Sequence, residues 1–347
     1  MQVRGLFCIQ CANTIRFVSR ETENTEHKMA ASGTNLLFSF SSCYLDTVNK
    51  PIKQPFSYYG GKQRLAPKII PLIPRHTVYV EPFCGGATVF FRKPWPQVTN
   101  NNHYREVLND TDKRIVNFFE QMRDNPDELT RRIALTPFSQ HEHTVVARQP
   151  TDDPIEQARR WYVDVNQSFI NRPHGGWQTG TYGRNLSATW QNKLGDLWSA
   201  AERLRGVSLD CNDALKVIDR WDSPQTFFYC DLPYPGTDQG HYSGYSQADF
   251  DALVQTLDKC QGSFMLSCYP QAEIPDDWER FEFSAHCAAS RQGKAGVGRD
   301  KSRKATTAEI GDRKRTEVVW RRFNTAPVRP EIQKLYDEGK FDCFASS

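Results

Sequence analysis

Short runs of β-branched and aromatic residues alternate along this chain with amphipathic stretches of helical period, a pattern that predicts an α/β fold. Thr77–Glu81, Glu106–Leu108, Val207–Leu209, Thr226–Cys230 and Ser263–Cys268 read as strands. Helices are expected at Leu65–Ile73, from Val89 through Phe91, at Lys113–Met122, at Asp213–Arg220 and at Gln247–Lys259. Phe281–Cys287 and Glu317–Phe323 read as a terminal pair of strands.

From about Asn125 to Arg205 the pattern turns helical and polar, at Glu128–Leu135, Ile155–Ile170 and Ala188–Leu204, with no clear core strand. That stretch reads as a helical insertion between two halves of one sheet. The chain therefore divides into an extension at 1–54, a first α/β half at 55–124, the insertion at 125–205, a second half at 206–323 and a tail at 324–347. Residues 1–54 lack sustained periodicity and are expected to be poorly ordered, with Met29 as an alternative start.

Hydrophobic residues at 38% and charged residues at 24% of 347 suit a soluble globular protein with a sizeable core. A net charge of +3 is too small to indicate a partner, but Arg291–Arg315 holds nine Lys or Arg against three Asp or Glu. Such a run is either a solvated loop or a contact for phosphates. The ten cysteines are scattered, several inside apolar runs, which points to a reducing cytoplasm. Cys8-x2-Cys11 is half a zinc site with no second half, so no metal is expected. No run approaches the roughly 20 apolar residues of a membrane helix.

Candidate chemistry lies where strands end. Phe227-Phe228-Tyr229-Cys230 runs into Asp231-Leu232-Pro233-Tyr234. It is either an ordinary strand exit or an active-site edge, because the carboxyl ends of strands in open α/β sheets face the ligand crevice. Thr77–Glu81 is followed by Pro82-Phe83-Cys84-Gly85-Gly86-Ala87 and an apolar helix, a strand–glycine loop–helix turn of nucleotide type without a full GxGxxG. Asp110 follows the next strand and suits a ribose contact, the cap of the Lys113–Met122 helix, or both at once. Tyr58-Tyr59-Gly60-Gly61-Lys62 sets a glycine pair between aromatic rings and a cation, but lacks the spacing of a phosphate-binding Walker A loop. In the insertion, the stretch 166–185 mixes Arg, Asn and Gln, which can contact base edges bidentately, with glycines and with Trp177 and Tyr182. Trp161, Tyr162, Trp190 and Trp198 sit at helical spacings and are expected in the core.

The order of these parts resembles the Dam-like, D12 class of DNA adenine N6-methyltransferases, closest to phage and prophage members, over about Pro55–Phe323. The resemblance implies a Rossmann-like S-adenosylmethionine-dependent methyltransferase sheet carrying an inserted helical target-recognition domain. It places Tyr58, Lys62, Glu81, Phe83, Gly85, Gly86, Asp110 and Asp231 with the cofactor, Asp110 on its ribose. Asp231 and the Leu232 carbonyl are implied to receive the amino group of a flipped adenine, followed by Pro233, with Tyr234 stacked on the base. Asn171, Arg172, His174, Trp177, Gln178, Tyr182, Arg184 and Asn185 are the candidate DNA contacts. The implied enzyme is a monomer acting on duplex DNA in the cytoplasm of a bacterial or phage-infected cell.

Two positions depart from the family pattern. Leu232 replaces the first proline of the catalytic signature, and Ala87 stands where glycine is common. The first departure keeps open a catalytically impaired DNA-binding or regulatory relative; a second alternative, independent of it, is methylation of another amine or amide.

Overall fold

The computed structural model describes residues 52–58, 60–95, 104–179, 185–232, 245–268, 272–286, 314–324 and 326–338. All lie within the unit Val48–Ser347. Seven strands form one sheet: β1 (Val78–Glu81), β2 (Arg105–Asn109), β3 (Val207–Asp210), β4 (Thr226–Asp231), β5 (Ser263–Cys268), β6 (Glu279–His286) and β7 (Lys314–Arg322). Their order is β3-β2-β1-β4-β5-β7-β6. The first five are parallel, and β7 runs antiparallel between β5 and β6. Strand order reverses between β1 and β4, so a crevice opens beyond their carboxyl ends.

The central strands are apolar throughout because both faces are covered. Alternation divides their side chains between two core layers. Tyr79, Leu108, Phe227, Tyr229 and Met265 enter one layer, and Val80, Val107, Phe228, Cys230, Phe264 and Leu266 enter the other. The second layer is closed by α9 (Ala214–Trp221) and α10 (Gln247–Lys259), through residues such as Val217 and Leu253.

The first layer takes in α1 (Ala66–Ile69), α2 (Thr88–Arg92) and α3 (Lys113–Asp124). It continues into α4 (Pro126–Leu135), α6 (Pro154–Asn166), α7 (Leu186–Asn192) and α8 (Leu197–Leu204), with the short α5 (Gln140–Thr144) following α4 in the chain. Trp161, Tyr162, Trp190, Leu197 and Leu204 are buried in the same layer as Tyr79 and Phe227. Trp198 is not; it is 41% exposed.

Several expected helices are shorter than their apolar patterns. Leu65–Ile73 yields α1 and then a 3-10 turn at Ile70–Leu72, where Pro71 lacks the N–H an α-helix needs. Ala188–Leu204 breaks into α7, a 3-10 turn at Lys193–Asp196 and α8, with Gly195 in the interruption. Ile155–Ile170 ends as α6 at Asn166, and Phe169–Asn171 forms a 3-10 turn. Asp112, not Asp110, caps α3: its carboxylate accepts from the Arg114 N–H at 2.9 Å. In the tail, α11 (Pro330–Asp337) packs Ile332 and Leu335 with Val328.

The edge opposite the crevice holds a buried ionic cluster. Arg203 grips Glu106 with two bonds of 2.6 and 2.7 Å, and Lys93 Nζ lies 2.5 Å from the same carboxylate. Burial pushes the Glu106 carboxyl up, but Arg203 and Lys93 outweigh it and hold the group at about 2. At Lys93 burial prevails over Glu106 and pulls the ammonium down to about 8. His76 accompanies them, its ring between Pro74 O at 2.7 Å and Tyr104 Oη at 3.0 Å; burial first and Lys93 second pull it down to about 3.

Glu106→Gln leaves two buried cations without their anion and is expected to destabilise the fold by about 3–5 kcal/mol in urea denaturation at pH 7. Because the folded-state carboxyl lies below its ordinary 4.5, its stabilisation is complete above that pH and is lost as pH falls toward about 2. The difference between wild type and variant is therefore expected to shrink across that window.

Candidate active site

The loop after β1 is built by a tight turn and pinned from β2. Gly85 and Ala87 adopt φ values of 47° and 48°, and Ala87 N–H donates to Cys84 O. Positive φ costs an alanine roughly 1–2 kcal/mol, which is the physical meaning of a glycine preference at position 87. Asn109 ends β2 and holds two loops: its Nδ2 donates to Pro82 O at 2.9 Å and to Asn212 O at 3.0 Å. Asp110 then accepts from Gly85 N–H and Asp112 N–H, each at 2.9 Å. Burial pushes the Asp110 carboxyl up to about 6 against those two bonds.

The 58–62 segment lies directly against this loop. A Cβ on Gly86 would sit 3.2 Å from Tyr58 Cβ, and one on Gly61 would sit 3.0 Å from Tyr58 O. Glycine at 86 lets the turn lie this close to Tyr58, and glycine at 61 lets the chain fold tightly back on Tyr58 O. Tyr58 is buried, its ring 6.3 Å from that of Trp161. Phe83 is half-buried and meets Tyr245 edge to face at 6.0 Å.

At the end of β4, Asp231 Oδ1 lies 2.8 Å from Lys62 Nζ. The same ammonium lies 2.8 Å from Glu317 Oε1, on β7. Lys62 is only 7% exposed, whereas the Asp231 side chain keeps 22%. Burial raises the Asp231 carboxyl above its ordinary value, the Lys62 ammonium opposes that, and Glu317 adds to it. A carboxylate so placed is a strengthened proton acceptor at an edge open to a ligand. Glu81, at the end of β1, is buried and accepts from Tyr79 Oη–H at 2.6 Å and Phe90 N–H at 2.8 Å; burial pushes it up to about 8. Leu232 belongs to the core layer of Val80, Phe228 and Leu253 and is 3% exposed. Pro233 and Tyr234 lie outside the described residues, as does the basic run from Arg291 to Arg313.

The insertion contributes a loop closed by a Ser168–Trp177 bridge. His174 N–H donates to Asp164 Oδ2 at 2.9 Å, and Arg148 donates to Gly175 O at 2.7 Å. Asn171 and His174 both adopt φ of 55°. Arg114 on α3 holds Asp112 through Nε and Nη2 and places Nη1 2.7 Å from His174 Nε2. That ring nitrogen accepts, which requires the Nδ1–H tautomer. Arg172, His174 and Trp177 thus share one anchored loop. Gln178 turns its side-chain amide to Ser168 O, and Asn185 spends its side chain capping α7 at Ala188 N–H. Tyr182 and Arg184 lie outside the described residues.

Residues 58–278 match the family of D12 class N6 adenine-specific DNA methyltransferases. The chain belongs to that family. It is also similar to the Type II methyltransferase M1.LlaDCHI of Lactococcus lactis subsp. cremoris, at 30% identity over 122 residues. The matched region is 35% of this chain and 34% of that relative, about a third of its length.

Sequence reasoning did not single out Glu317, Arg114 or Asp164. Glu317 carries a faint signal, a lone acid ahead of Val318-Val319-Trp320 in a strand that is otherwise apolar at its centre. Its arrival at the crevice depends on β7 running antiparallel, which spacing along the chain does not reveal. Arg114 is two residues from the Asp112 cap, and only the folded loop brings His174 to it.

In this D12 class protein, Arg114→Ala removes the bond that joins α3 to the 168–178 loop. With about 1 kcal/mol lost, amide hydrogen exchange at Gly175–Gln178 is expected to quicken about fivefold, while exchange in β4 stays unchanged.

Proposed function

We propose that this protein transfers a methyl group from S-adenosylmethionine to N6 of an adenine in duplex DNA, with the base turned out of the helix. The observation that carries this reading is the Asp231 carboxylate at the end of β4, beside the sheet's switch point and bridged to Lys62.

The residues at the crevice suit the cofactor. Asp110 stands at the end of β2, and although its oxygens already accept backbone N–H groups, Gly85 and Asp112 among them, a carboxylate has about four lone-pair sites, which leaves acceptor capacity for a ribose hydroxyl. Phe83, Gly85 and Gly86 form the adjoining loop, and Tyr58 and Lys62 flank it. When bound, S-adenosylmethionine supplies an electrophilic methyl group on a sulfonium centre.

The protein's task is to make a poor nucleophile reactive. The adenine N6 lone pair is delocalised into the ring. Two acceptors, the Asp231 carboxylate and the Leu232 carbonyl, draw the amine toward tetrahedral geometry and free that pair. Asp231 also stabilises the positive charge that grows on nitrogen and then takes the surplus proton. A paired adenine is inaccessible, so the base leaves the stack at a cost of a few kcal/mol, with Tyr234 as the aromatic surface that receives it. Arg172, His174 and Trp177 on the anchored loop are the contacts to DNA. The side chain of Leu232 is in the core layer, which supports a working site over an impaired one.

With radiolabelled cofactor, Asp231→Ala is expected to lower methyl incorporation into DNA by at least about a hundredfold while cofactor affinity changes little. Leu232→Pro should change the rate by less than about tenfold. An inactive wild type rescued by that substitution would instead identify an impaired relative. Cofactor affinity should decline as pH falls through about 6, where Asp110 gains a proton and loses acceptor capacity. Asp110→Asn should bind weakly at every pH, without that inflection, in equilibrium dialysis.

A further inference from the structure

Glu317 reaches the crevice from a strand that runs the other way. β7 pairs with β5 so that Val319 faces Ser267 and Val318 faces Cys268, which puts the start of β7 beside the ends of the parallel strands. Glu317 Oε1 accepts from Ser267 Oγ–H at 3.2 Å and lies 2.8 Å from Lys62 Nζ. Its side chain is 14% exposed, so this is a largely desolvated contact rather than a screened surface pair. One ammonium therefore serves two carboxylates, each at 2.8 Å.

We propose that Glu317 is a positioning residue for methyl transfer: it shares the Lys62 ammonium with Asp231, so that Asp231 remains free to receive the adenine amine and its proton. This rests on the methyltransferase reading. A carboxylate paired alone with a buried ammonium is a poor acceptor, since the cation holds its charge and its lone pairs. If Asp231 turned to a substrate without Glu317 in place, Lys62 would lose an anionic partner in a desolvated site.

The charges close across the step. As the N6 lone pair forms the new N–C bond, the electron pair of the broken C–S bond stays on sulfur. The N6 proton then passes to the Asp231 carboxylate, and its bonding pair returns to nitrogen. Asp231 becomes neutral, and Lys62 with Glu317 remains as a balanced pair.

The test is Glu317→Gln, which keeps the shape and an acceptor for Ser267 but removes the charge. The groups acting on Asp231 are Lys62 from the 58–62 segment, Glu317 from β7 and Glu81 from β1; the neighbouring Cys230 and Cys268 thiols are raised by burial and stay neutral. The Asp231 carboxyl, assigned in 13C NMR by its loss in Asp231→Asn, is expected to titrate at lower pH in the variant than in wild type. With DNA and cofactor, kcat should fall by about tenfold at pH 7 while both KM values stay within about twofold, and the acid limb of kcat should move to lower pH. Glu317→Asp, which retains the charge, should recover more of kcat than Glu317→Gln and gives a second reading should the glutamine variant fold poorly. A folded glutamine variant with an unmoved Asp231 titration and unchanged kcat overturns the proposal. Failure of the methyltransferase reading looks different: wild type itself incorporates no methyl group into DNA, while the Asp231 titration still moves in Glu317→Gln.

Discussion

A desolvated ammonium must be paired, and that demand draws the crevice edge of this protein's sheet together. Lys62, Asp231 and Glu317 are far apart in sequence, on a loop before β1, at the end of β4 and at the start of β7. Their bridges of 2.8 Å join the first half of the sheet to the second. The parallel strands bring Asp231 and Asp110 to the same edge, and glycine at 86 lets Tyr58, four residues before Lys62, lie against the turn after β1.

The opposite edge uses similar chemistry for another purpose. Glu106, Arg203 and Lys93 are almost wholly buried, and their bonds tie β2 to α8 and to the residue after α2. There the carboxylate lies between two cations and is held at about 2, an acid locked in its charged state. At the crevice edge one cation lies between two carboxylates, and the Asp231 carboxyl is raised instead. The ratio of charges separates an acid locked in its charged state from one whose carboxyl is raised.

Much of this was legible in the sequence because the physics involved is local. Apolar runs bounded by turn residues marked β1 to β5, since strands covered on both faces need side chains such as Phe227 and Phe228. The α/β class and the helical stretch between β2 and β3 followed from the same pattern. Helix ends were less legible: Pro71 and Gly195 interrupt patterns that look continuous by periodicity, and Asp112 caps α3 where the sequence pointed to Asp110. Trp198 has helical spacing yet remains 41% exposed. Glu317 left only the faint mark of a lone acid in an apolar strand and the Arg114–His174 contact left none, because each depends on a partner brought close by strand direction or loop closure.

The site's purpose is tested most directly by nucleoside mass spectrometry of duplex DNA incubated with the purified protein and S-adenosylmethionine. The account predicts N6-methyladenine after reaction with wild type and none after reaction with Asp231→Ala. Modification at cytosine alone, or equal yields from the two proteins, would contradict it.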